Sequence, residues 1–135
     1  MRLNFHKPQS SRLPSKATIH RSGKLGFSSE AEKMLGLSTE KSLKIATNAD
    51  DPEDDNLYVM VLQTIENDSF GLKKAGQYYY INGKQLFEDI KVDFKKDKVI
   101  YDIEEFALDG QTLFMFKKRI VKAKKNNMPP DNTEE

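Results

Sequence analysis

The chain has 135 residues, enough for one compact domain or for two small units that share a core. Its 22 Lys and Arg against 21 Asp and Glu leave a formal net charge of +1 at pH 7, so no overall field draws it onto nucleic acid or membrane, and any such attraction has to be local. The absence of cysteine excludes disulfides, thiolate metal sites and cysteine nucleophiles.

Residues 1–15 mix Pro, Ser, Gln and Arg without periodicity and read as a flexible tail; they lack the apolar segment of a secretion signal. Residues 17–21 and 24–28 flank the turn dipeptide Ser22-Gly23 and predict a hairpin. Ser28 or Ser29 then caps a helix of about two turns, with Glu30 and Glu32 where the helix dipole favours acids. Ala31, Met34 and Leu35 form its apolar stripe, and Gly36 is placed to end it in a left-handed conformation. Residues 43–47 alternate as a strand, an acidic link covers 48–56, and residues 57–62 (LYVMVL) form the next strand.

A shift of fifty-three residues repeats the pattern: Gly23 falls on Gly76, Arg21 on Lys74, Phe27 on Tyr80, Ser29 on Asn82, Met34 on Phe87 and Leu37 on Ile90. Beyond the helices the shift becomes fifty-six, through an insertion at 95–97, and Leu43 and Ile45 meet Val99 and Tyr101. The sequence thus predicts an α+β fold of two duplicated units, each a β-hairpin–α–β–β. The first unit spans 16–65 and the second 66–121, packed as one pseudo-two-fold body of mainly antiparallel sheet, because neither half alone covers its own sheet. Residues 122–135 read as a basic, then acidic, tail.

Charge is distributed in blocks: 1–47 basic, 48–70 with acids and no Lys or Arg, 101–110 acidic, 117–125 (KKRIVKAKK) strongly basic. His20, Arg21 and Lys24 mark one hairpin tip and Lys73 and Lys74 the other, a placement suited to phosphates. In the run Gln77-Tyr78-Tyr79-Tyr80 the rings alternate faces, so at least one is expected to meet solvent or a partner; Tyr79 is taken as a stacking candidate. Lys117, Lys118 and Arg119 open a basic arm. The acids at 50–55 lack the glycine and closing glutamate of a calcium loop, so no metal or other cofactor is expected. No phosphate loop or nucleophile elbow occurs, His6 and His20 are the only histidines, and Glu104-Glu105 divide between strand faces, so an enzyme is not expected. Without a span or leader the protein is expected in the cytoplasm, where the sequon Asn67-Asp68-Ser69 has no meaning.

The segment GKLGFSSEAEKMLGLSTEKSLKIA resembles the swapped-hairpin module of AbrB-type and MraZ-type transcriptional regulators, through Gly23, Lys24, residues 25–28, Leu35-Gly36-Leu37 and residues 43–45. The resemblance implies two copies interleaved into a DNA-binding sheet, here within one chain. The family's proline between strand and helix is replaced by Ser28-Ser29, and the second unit reads Glu88-Asp89-Ile90 where the first has Leu-Gly-Leu. A different cut, four strands from 43 to 81 and a helix at 83–90, is similar to the PUR and Whirly-related single-strand binders. The expected function is that of a small nucleic-acid-binding, transcription-regulatory protein contacting DNA or RNA. The alternative is a protein-interaction or assembly module, with a protein partner or homodimer and no nucleic acid.

Overall fold

The computed structural model describes residues 1–3 and 15–121. Alternating small and large apolar residues pair β1 (Lys16–Ile19) with β2 (Lys24–Phe27), turning Ala17, Ile19, Leu25 and Phe27 into the core. The turn between them closes with the Gly23 N–H donating to the His20 carbonyl at 2.8 Å, and Gly23 has φ +92°, a conformation open to glycine. The same residue sits against the start of the second helix, where an added Cβ would stand 2.4 Å from Lys84 Cβ. Close approach and backbone conformation both require glycine here.

Helix α1 (Ser29–Leu35) begins at Ser28, whose hydroxyl accepts from the Ala31 N–H at 3.2 Å and from the Lys16 N–H at 3.1 Å, so one side chain both caps the helix and ties it to β1. Ala31 and Leu35 are buried, but Met34, expected on the apolar stripe, is exposed. Gly36 ends the helix in the left-handed region as the sequence predicts. β3 (Ser42–Ala46) and β4 (Leu57–Leu62) form the next antiparallel pair, followed by β5 (Phe70–Gly71), β6 (Lys73–Ala75), β7 (Tyr78–Asn82), α2 (Lys84–Asp89), β8 (Lys98–Leu108) and β9 (Gln111–Val121).

The protein is α+β, dominated by one nine-stranded sheet of order β5-β3-β4-β9-β8-β1-β2-β7-β6 in which every pair is antiparallel. The two edge strands of that order, β5 and β6, are neighbours in the chain, joined through Leu72. Leu72 is buried, and its N–H donates to the Lys41 carbonyl at 3.1 Å, so the sheet curls until its edges meet and is nearly a closed barrel. No helix among the described residues is long and apolar enough to cross a membrane.

The barrel interior is filled from both halves of the chain. Phe116 lies 6.3 Å from the rings of Phe27 and Tyr101, and Tyr101 lies 6.3 Å from Phe87 on α2. Each such buried side chain contributes roughly 1.5–3 kcal/mol. Burial, and secondarily the charge of Asp55, raise the pKa of the Tyr101 hydroxyl.

The two helices end alike, at a spacing different from the expected one. Gly36 has φ +65° and Leu37 returns its N–H to Glu32, while Lys91 has φ +63° and Val92 returns its N–H to Phe87, a shift of fifty-five residues. Leu35-Gly36-Leu37 therefore has a structural counterpart in Ile90-Lys91-Val92, not in Glu88-Asp89-Ile90. Asn82 is not the second helix cap: it belongs to β7 and pairs with Lys24, and the cap position of α2 is Gly83, which offers no side-chain hydrogen bond. Phe27 and Tyr80 also part company, since Phe27 faces the core and Tyr80, opposite Gly26, faces outward.

Gly23→Ala combines a steric clash with backbone strain and is expected to cost about 2–3 kcal/mol. Gly76→Ala, at φ +63° with nothing within 4 Å of its Cβ, should cost only about 1 kcal/mol. Urea midpoints of the two variants measure the difference.

Candidate nucleic-acid interface

With Leu25 and Ile81 paired and turned inward, the pleat sends Lys24 and Gly26 of β2, and Tyr78 and Tyr80 of β7, to the outer face. Ala75 stands opposite Tyr78, and Tyr80 lies between Gly26 on β2 and Lys73 on β6, so the small residues leave room beside both rings. A groove of about 380 Å³ results, lined by Thr18, His20, Lys24, Gly26, Tyr78 and Tyr80 among others. His20 lies over Gly26, where a Cβ would come within 2.8 Å of its Nε2, so the imidazole occupies the space the glycine leaves. Lys24 Nζ sits 4.7 Å from the centre of the Tyr80 ring, a contact worth about 0.5–1 kcal/mol at an exposed site. Tyr78 is 70% exposed.

Tyr79 turns to the other side. Its ring packs partly against the core, its N–H donates to the Glu32 carboxylate at 3.3 Å, and Lys74 Nζ lies 5.3 Å from its ring centre. Lys73 pairs opposite Tyr80 and Lys74 opposite Tyr79, so these neighbouring lysines divide between the faces. The stacking-competent rings on the outer face are thus Tyr78 and Tyr80. Strict alternation from the inward Ile81 gives this assignment once that register is known.

Thr18 and His20 also wall a second groove, of about 600 Å³, whose cations are Arg21, Lys95, Lys96 and Lys98 against the single carboxylate of Asp97. The loop carrying Lys95 and Lys96 is anchored, and Lys98 opens β8. Phe94 is buried and meets Phe87 edge-on at 6.3 Å, and the Asp93 carboxylate accepts the Lys96 N–H at 3.1 Å. None of these four cations forms an ion pair among the described residues. Arg21 is expected from its hairpin, whereas in the sequence Lys95 and Lys96 read only as part of the insertion at 95–97 and Lys98 carries no signal. Their proximity to Arg21 depends on β1 pairing with β8, which local sequence does not reveal.

The third basic segment is engaged. Arg119 donates from Nε and Nη2 to both Asp102 carboxylate oxygens, at 2.8 and 3.0 Å, and Lys117 Nζ lies 2.9 Å from Glu104 Oε2. Lys118 turns inward beside Tyr101, half-buried, with its N–H donating to Asn56 Oδ1 at 3.2 Å. The acidic block 101–110 and the basic block that opens at 117 are two strands of one hairpin, so their charges meet in space. Residues 122–125 of the expected arm, and His6, lie outside the described residues.

The acidic link is likewise committed. Asn48, Asp51 and Asp54 accept from the backbone N–H groups of Asp50, Glu53 and Asn56. The Tyr58 hydroxyl donates to Asp54 at 2.6 Å; this bond, then the Asn56 N–H and the Asn48 side chain, lower the Asp54 pKa, while the same bond, then burial and the charge of Asp54, raise that of Tyr58.

No family model matches the chain, and comparisons with curated proteins and with solved structures give no match either. The functional reading therefore rests on residues and geometry.

Away from the basic grooves, Tyr58, Met60, Phe106, Leu108 and Leu113 line an apolar groove of about 590 Å³. It lies where the tip of the β8–β9 hairpin stands beside β3 and β4, with the Phe106 ring 5.7 Å from that of Tyr58.

The hydrogen bond from Arg119 holds the Asp102 carboxyl below its ordinary pKa of 3.8, and the same bond raises that of Arg119. The pair's contribution is complete above the ordinary carboxyl value and is lost as pH falls through the lower folded value. Both side chains are substantially exposed, so Asp102→Asn should destabilise by only about 0.5 kcal/mol at pH 7. Urea titrations of parent and variant should converge as pH falls below the ordinary carboxyl value.

Proposed function

We propose that the protein is a small, non-enzymatic nucleic-acid-binding protein whose chain is an internally duplicated pair of β-hairpin–α–β–β units. The duplication is supported by the strand pairing. β2 pairs with β7, and β4 with β9, each joining corresponding strands of the two units. β1 of the first unit pairs with β8 of the second, and β5 of the second pairs with β3 of the first. The matched helix endings at Gly36 and Lys91 support it as well. This exchange of hairpins is the arrangement that the resemblance to AbrB-type and MraZ-type regulators implies.

Binding is supported chiefly by one observation: a groove walled by tyrosines and a groove walled by cations adjoin across Thr18 and His20. Phosphates are recognised by clustered Arg and Lys with strong salt dependence, and bases by flat aromatic surfaces. Both elements lie on one face, on strands and an anchored loop, which keeps the ordering cost of binding low.

The second reading is a protein-interaction module, and the observation favouring it is the apolar groove beside Leu108, a side chain half exposed at the tip of the β8–β9 hairpin. Nucleic-acid binding carries the greater weight because the cation cluster has no apparent structural use.

Fluorescence anisotropy with labelled single-stranded and duplex oligonucleotides, at low and physiological salt, tests the proposal. The parent should bind at low salt and weaken steeply as salt rises. Arg21→Glu combined with Lys96→Glu should lower affinity at least tenfold with the circular dichroism unchanged, in line with phosphate contacts. Undiminished affinity in a folded double variant would rule out this interface.

A further inference from the structure

The aromatic groove narrows the ligand, on the premise that the face binds nucleic acid at all. We infer that the ligand is single-stranded: an unpaired base seats against Tyr78 and Tyr80, while the adjoining phosphates cross the Thr18–His20 ridge onto Arg21, Lys95, Lys96 and Lys98.

A duplex presents phosphates and groove edges and keeps its base faces stacked inside, so a concave site walled by tyrosine rings offers it nothing unless a base is extruded at a cost. A single strand has those faces available and bends between neighbouring nucleotides. The tyrosines are arranged for such a ligand. Tyr78 has Ala75 opposite, too small to cover its ring, and Tyr80 stands between Gly26 and Lys73. Tyr78 remains 70% exposed on a strand whose other outward ring, Tyr80, has a cation over it.

His20 is placed at the junction. Its imidazole fills the position above Gly26, borders both grooves, and gives the strand a polar, flat group at the bend. Asp97 in the second groove discourages tight packing of phosphates beside it, so the path favours Arg21 and the lysines on either side.

The test compares short labelled oligothymidylate, the corresponding RNA and a duplex of matching length by anisotropy, with intrinsic tyrosine fluorescence as a second readout. The chain has five tyrosines and no tryptophan, so stacking on Tyr78 and Tyr80 is visible as quenching. Single strands should bind about tenfold or more tightly than duplex. Tyr78→Ala, at an exposed position that does not hold the core, should lower single-strand affinity roughly 5- to 100-fold, remove much of the quenching and leave duplex affinity unchanged. A DNA–RNA difference would identify which strand the site accepts. Duplex binding equal to single-strand binding, or a silent Tyr78→Ala, overturns the single-strand inference while the nucleic-acid reading stands. No binding to any of the three at low salt overturns both.

Discussion

β2 and β7 meet along only three paired residues, from Lys24 opposite Asn82 to Gly26 opposite Tyr80, yet much of the molecule depends on that seam. Its inward side places Leu25 and Ile81 in the core, and its outward side creates the tyrosine groove. It also brings the β1–β2 turn onto α2, where the Gly83 N–H donates to the Gly23 carbonyl at 3.1 Å. Neither hairpin could bury its apolar face alone, since an isolated two-stranded ribbon is marginal in water. The pairings of β1 with β8 and of β3 with β5 then commit each half of the chain to the other, and closure at Leu72 leaves little unpaired edge.

Charge in this protein is organised by strand pairing more than by position in the chain. The acidic run in β8 and the basic run in β9 look like opposed blocks in the sequence, but antiparallel pairing brings Asp102 diagonally to Arg119 and Glu104 diagonally to Lys117. Such pairs contribute little stability individually, and they reduce the field that β9 presents to an anion. The cations at Arg21 and at 95–98 lie on separate segments and meet no equivalent row of carboxylates, so they form the concentrated positive feature among the described residues.

Much of the element order was legible because the local signals agree: Ser22-Gly23 for the first turn, Ser28 for the helix cap, Gly36 for its end, and strict alternation in the strands. The failures have physical causes. The shift that matches the turn glycines does not hold through the helices, whose ends require a shift of fifty-five. The signal was hidden because the second helix uses Lys91, not glycine, in the left-handed position. A lysine at positive φ has no distinctive sequence mark. Met34 fitted the helical period, but a helix of seven residues presents too narrow a face to bury every member of the stripe. The candidate interface was legible as a set of residue types and illegible as a place. Arg21 and Lys24 were found from their own hairpin, but the lysines at 95–98 and the outward tyrosines acquire their roles from nonlocal pairing.

The two hairpins share a construction and differ in how closely their turns are packed. The first turn is pinned, because Gly23 leaves no room between its backbone and Lys84. The second, at Gly76, has open space where a Cβ would be. The strands before these turns differ in the same sense. β1 pairs on both sides without interruption, whereas its counterpart is divided at Leu72 into β5, which serves β3, and β6, which serves β7. The pinned hairpin therefore supplies a fixed wall, with His20 and Arg21 held against two grooves. The second hairpin supplies Tyr78, which stands beside its turn. The wall is thus packed against α2, whereas the exposed ring stands beside an open turn.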